Sequence, residues 1–169
     1  MGAIAGLTSV TIGGKAPSNN PPTYGDFVGN REMQIDDKKK MVKCGVVFGD
    51  NSSTYPSGGI PLSASGIQAL NIPGSTTATY GVTALACAVS FGFRQSLSDL
   101  LLVDPVSSDG FVYKVDDTNL KLRIYQVAAI ASGASGSNYT GAAAAPLVEV
   151  TTGFVPASGV SLICYAIGR

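Results

Sequence analysis

The chain is expected to fold as an all-β domain, an antiparallel β-sandwich or jelly-roll-like barrel with an extended N-terminal arm. Three observations lead there. Short β-branched or alternating runs recur along residues 37–169, separated by Gly, Pro, Asn and Asp clusters. No long amphipathic helical pattern interrupts them. Charge is scarce, at 13% of 169 residues against ~25% in an ordinary soluble domain, so much of the surface suits contact with other protein rather than water.

Residues 1–36 read as the arm. Gly13-Gly14, the run Pro17-Ser18-Asn19-Asn20-Pro21-Pro22, Gly25 and Gly29 interrupt any long element. Pro21-Pro22 favours an extended path. The segment lacks core-forming periodicity and is expected to stay extended or disordered until it packs on something. Tyr24 and Phe27 have no local core there, which makes them the expected anchors onto a neighbouring subunit.

The body follows as residues 37–169. Met41 to Phe48 is β-branched and ends in the turn cluster Gly49-Asp50-Asn51. Tyr55-Pro56-Ser57-Gly58-Gly59 is a second turn, and Ile60 to Leu70 has room for one or two helical turns that Gly66 weakens. Tyr80 to Phe93 alternates, with Leu85, Cys87, Val89, Phe91 and Phe93 on one face and small residues on the other. It reads as a central strand covered on both sides. Phe111 to Val115 and Leu120 to Tyr125 form the clearest hairpin, joined by Asp116-Asp117-Thr118-Asn119. Leu120, Leu122 and Ile124 should face inward, and Lys121, Arg123 and Tyr125 outward. Residues 128–145, mostly Ala, Gly and Ser, read as a long loop. Leu147 to Val150 and Val160 to Ile167 supply the last strands, the final one pinned in the sheet.

Charge and composition exclude several functions. Eleven basic and eleven acidic residues cancel, which disfavours a nucleic-acid partner held by phosphate neutralisation. Histidine is absent, which removes His-based catalysis and His metal ligands. The three cysteines, Cys44, Cys87 and Cys164, lie dispersed in apolar runs and read as buried free thiols rather than a zinc site. No apolar stretch is long enough to span a bilayer, and the start of the chain lacks a secretory pattern, so no membrane partner is expected. Without that pattern, Asn51-Ser52-Ser53 and Asn138-Tyr139-Thr140 match the glycosylation acceptor motif only by chance.

Candidate sites are few. Asp116 to Asn119 offers oxygens for Ca²⁺ but not in the spacing of a calcium loop, so a turn is the expectation. Gly13-Gly14-Lys15 is too short for a phosphate loop. Asp99, Asp104, Asp109 and Glu149 are acids without a pattern that aims two across a cleft. No enzyme activity, cofactor or metal is expected. The charges concentrate between Asp26 and Asp50, leaving Asn51 to Phe93 without any and only Glu149 from Ile124 to Gly168. Within that dense region Lys38, Lys39 and Lys40 follow Asp36-Asp37, a solvated run or an intersubunit salt-bridging contact. Neighbouring subunits are expected on the uncharged faces.

Val46-Val47-Phe48-Gly49-Asp50 with Tyr55-Pro56-Ser57-Gly58-Gly59-Ile60-Pro61-Leu62, the hairpin Tyr113 to Arg123, and the ending Ile167-Gly168-Arg169 carry a resemblance over residues 41–169. Together they resemble structural proteins of tailed bacteriophage virions, in particular head decoration (cement) proteins. That resemblance implies a β-sandwich or jelly roll on the capsid lattice, often a homotrimer, with an arm clasping neighbours. It implies the major capsid protein as partner, the phage head as location after assembly in the bacterial cytoplasm, and no catalytic residues. A tail or fibre component, or a receptor- or glycan-binding β-module, is the alternative; it would use the 128–145 loop and exposed tyrosines.

Overall fold

The structure, a computed structural model, is described for residues 2–12, 32–35, 39–64, 82–93, 95–106, 110–127 and 147–169. It contains β1 (Ser9–Ile12), β2 (Glu32–Gln34), β3 (Lys40–Phe48), β4 (Ile60–Pro61), α1 (Val82–Ser90), β5 (Leu97–Leu102), β6 (Val112–Asp116), β7 (Lys121–Val127), β8 (Leu147–Glu149) and β9 (Val160–Gly168). The strands form two antiparallel sheets, a sandwich-like all-β fold as the sequence predicts, with no closed barrel among the described residues.

The five-stranded sheet runs β1-β3-β9-β5, with β2 also on β3. Its axis is the long pairing of β3 with β9, from Lys40 opposite Gly168 to Phe48 opposite Val160. Inside both strands alternate residues are buried: Val42, Cys44, Val46 and Phe48, and Leu162, Cys164 and Ala166. The four-stranded sheet runs β4-β7-β6, with β8 also on β7. It turns Ile60, Tyr113, Leu122 and Ile124 inward. Phe48 of the first sheet meets Tyr113 of the second edge to face, ring centroids 5.7 Å apart, which fastens the layers together.

β3 and β7 each share one edge between two short partners. β1 and β2 divide β3, and β4 and β8 divide β7. Part of the segment read as an arm is therefore structural. Leu7 and Val10 are fully buried, Leu7 N–H donates to Ser63 O at 2.8 Å, and β1 pairs with β3. A Cβ on Gly6 would lie 2.3 Å from Ser63 O, so only glycine permits that approach. The remainder of the expected arm, with Tyr24 and Phe27, lies outside the described residues, as do Lys38 and the 128–145 loop.

The expected central strand over Tyr80 to Phe93 is corrected: Val82–Ser90 is a helix. An uncharged run of alternating small and large apolar residues satisfies either period, and alanine is the best helix former. Gly92 stops the helix at φ 83°. Its N–H donates to Val89 O and that of Phe93 to Ala88 O, the paired bonds of a Schellman cap. Ser90, wholly buried, donates to Ala86 O at 2.6 Å and accepts from Ala64 N–H at 2.8 Å, which ties α1 to the chain after β4. Of the helical turns allowed for Ile60 to Leu70, Ile60–Pro61 is strand instead, and residues 65–70 lie outside the described set.

Candidate interaction surface

The hairpin shapes the outer face of the four-stranded sheet. β6 and β7 pair from Val112 opposite Tyr125 to Asp116 opposite Lys121, so the chain reverses over Asp117 to Leu120. Asn119 backbone and side-chain N–H groups donate to the Asp116 carboxylate at 3.0 and 2.9 Å. With Arg123 also donating to it, the Asp116 carboxyl is held down at about 2. The oxygens considered for Ca²⁺ thus close a turn. Arg123 continues to Glu149 Oε2 at 3.2 Å, and Tyr55, buried beneath, donates to Glu149 Oε1 at 2.7 Å. Burial first, then its bond to Glu149, pushes the Tyr55 phenol well above its ordinary value, so it stays a neutral donor. Lys114 lies 5.3 Å from the centre of the Tyr125 ring. Along β6 and β7 this face is charged and its charges are internally engaged, while Leu147 and Val148 stand exposed on the short β8 beside them.

The outer face of the five-stranded sheet differs. Register places Met33, Met41, Ile167 and Asp99 in one row across β2, β3, β9 and β5. The next row holds Lys43, Tyr165 and Leu101. Beyond it come Thr11, Gly45 and Ile163, with Val103 N–H donating to Ile163 O at 2.9 Å. Met33, Ile35, Leu101, Val103 and Ile163 are 49–57% exposed. Large side chains normally buried here stand in water along adjacent strands, the pattern of a contact surface.

The candidate residues separate accordingly. Lys39 and Lys40 sit where β2 returns into β3, with Ile35 N–H donating to Lys39 O at 3.0 Å; Lys40 is exposed and Lys39 half-buried. They border the apolar rows at the Met33 and Ile35 end. Glu149 is engaged by Arg123 and Tyr55, Asp104 accepts from Val106 N–H, and Asp99 belongs to the outer row. Asp109 lies outside the described residues.

All three cysteines are free and buried. Cys44 and Cys164 stand opposite each other across β3 and β9, and Cys164 Sγ lies 3.7 Å from Cys44 O. The bond with Cys164, then burial, drives the Cys44 thiol far up, while burial lifts Cys87 to about 12. Both remain protonated hydrophobes.

A further concavity of about 420 Å³ lies between residues 3–8 and the turn after β3, bordered by Ile4, Thr8, Asp50 and Ser53. Asp50 accepts from Ser52 and Ser53 N–H and from the Ser53 hydroxyl, bonds that hold its carboxyl below the usual range and form the turn.

Leu101 and Val103 were not identifiable as contact residues from sequence, because Leu97–Leu102 carries no clean alternation. The signal for Ile163 was present: Val160 to Ile167 is apolar on both faces, whereas a half-solvated strand alternates with polar residues. Comparison with known proteins finds no matching family model, no similar curated protein and no similar solved structure.

Proposed function

We propose that the chain is a structural protein of a tailed-phage particle, a head decoration protein that binds across capsomers of the major capsid protein and stabilises the head without chemistry. The observation that carries this reading is the apolar outer face of the five-stranded sheet. A face with that composition favours permanent cover by protein, and each 100 Å² of apolar area removed from water contributes ~2.5 kcal/mol. The low charge and the resemblance of residues 41–169 support it, and Lys39 and Lys40 at the border of the face would add polar contacts. On this reading the chain is a homo-oligomer in the virion, assembled in the bacterial cytoplasm, with protein as its partner.

The test is to add purified protein to expanded capsids that lack it and count copies per major capsid protein. Saturable binding at a fixed ratio, abolished by Met33→Lys with Ile35→Lys at the Lys39 and Lys40 border of the face, is expected. Absence of binding to capsids overturns the reading, and saturable binding to host cells in its place directs it to a fibre module.

A further inference from the structure

The outer face of the five-stranded sheet is organised around β9. Ile163, Tyr165 and Ile167 run down its middle, by alternation with the buried Leu162, Cys164 and Ala166. One strand to one side, Lys43 stands level with Tyr165. One strand to the other side, Asp99 stands level with Ile167, one residue pair further along. Neither charge has an ion-pair partner among the described residues. Asp99 also sits in a negative neighbourhood: the Asp117 carboxyl is raised by burial first and then by the charges of Asp99 and Asp116. A lysine arriving from outside would relieve it.

We infer that this face joins two copies of the chain, sheet against sheet about a two-fold axis along β9, with Lys43 of each copy paired to Asp99 of the other. Rotation about such an axis places β3 of one copy over β5 of the second and keeps every position along the strand. Lys43 then lies over Leu101 of the second copy, and Asp99 is one residue pair away, ~7 Å along the strand. Packed sheets stand ~10 Å apart, a gap that the lysine stem and the aspartate cross between them. An axis perpendicular to the strands would instead stack β3 on β3 and β5 on β5, setting like charges together. Ile163 meets its own counterpart on the axis, beside Gly45, over which the Thr11 side chain leans: a Cβ there would lie 2.7 Å from Thr11 Oγ1. Such a contact is isologous, the same patch serving both partners.

This inference rests on the reading that the face is permanently covered, and it commits the middle of that face to a second copy. The test is light scattering and sedimentation equilibrium of the full chain. Two copies of the 17.2 kDa chain are expected. Lys43→Asp or Asp99→Lys alone should weaken the pair at least about tenfold, and the double variant should recover most of that loss. Ile163→Lys should leave monomers, with circular dichroism reporting that the fold is kept. If it does not fold, the charge-swap series decides alone. A wild-type monomer or trimer overturns the inference, and so do single charge reversals that associate as tightly as wild type. A monomer that still decorates capsids removes only this inference, and a dimer that binds no capsid removes only the capsid reading.

Discussion

The two sheets bury similar apolar residues inward and present opposite surfaces outward. On the four-stranded sheet, Asp116, Arg123 and Glu149 form a chain of ion pairs, and Lys114 covers the Tyr125 ring. On the five-stranded sheet, Met33, Leu101, Val103 and Ile163 stand exposed in neighbouring rows, with Lys43 and Asp99 as the charges set among them. Antiparallel sheets tolerate water on one face when that face carries polar side chains. The four-stranded sheet meets the condition along β6 and β7, and the five-stranded sheet does not. Burial toward the shared core holds the fold, whereas the outer faces decide what each side of the molecule meets.

That contrast can be broken at several depths. The largest effect is expected at the joint between the sheets. Phe48→Ala removes the ring that meets Tyr113 and should cost about 3–5 kcal/mol in denaturant unfolding, because it leaves a cavity both layers share. A cost under about 1 kcal/mol would mean that the layers do not depend on this contact.

Next comes the support beneath the charged face. Tyr55→Phe deletes the hydroxyl that donates to Glu149 and should cost about 1–1.5 kcal/mol, with the core packing unchanged. Thermal melts of the two proteins at neutral pH check this.

Acid should weaken the same face. The Asp116 carboxyl is lowered from 3.8 to about 2 in the folded chain, so its contribution is complete above pH ~4 and declines as pH falls toward ~2. The melting temperature should therefore drop across that interval. Asp116→Asn, already uncharged, should show a shallower drop. Parallel slopes would mean that other carboxylates, Asp50 among them, carry the acid sensitivity.

The smallest effect belongs to the apolar face. Leu101→Ser should change the unfolding free energy of dilute protein by no more than about 0.5 kcal/mol, since the side chain is 54% exposed and its neighbours gain little from it. A large loss in dilute solution would show that the face stabilises the single chain. A loss that grows with protein concentration would show that it serves association.

The hairpin was legible because its information is local. Asp116 and Asn119 close the turn by bonds within four residues, and the alternation of Leu122 and Ile124 with Lys121 and Arg123 assigns the faces. β3 and β9 were legible for the same reason, as β-branched runs bounded by turn residues. β1 was not, because Leu7 and Val10 lie among glycines and small residues, and their burial depends on Ser63 and β3 far along the chain. α1 was misread because its alanines fit both periods. The stop signal at Gly92 was present, but its meaning depends on whether the preceding turn is helical.

The same dependence separates the two outer faces. The amino-acid order alone pointed to a chain poor in charge, all-β in character and with three cysteines set in apolar runs as buried thiols. It also located charge near Asp26 to Asp50 and its absence elsewhere. Only the tertiary structure decided that Lys43 and Asp99 flank one apolar surface, and that Arg123 reaches both Asp116 and Glu149 on the other. Alternation states which residues of a strand share a side. Which strands lie next to one another, and so which sides merge into a single surface, is set by pairings between distant segments that no local period records.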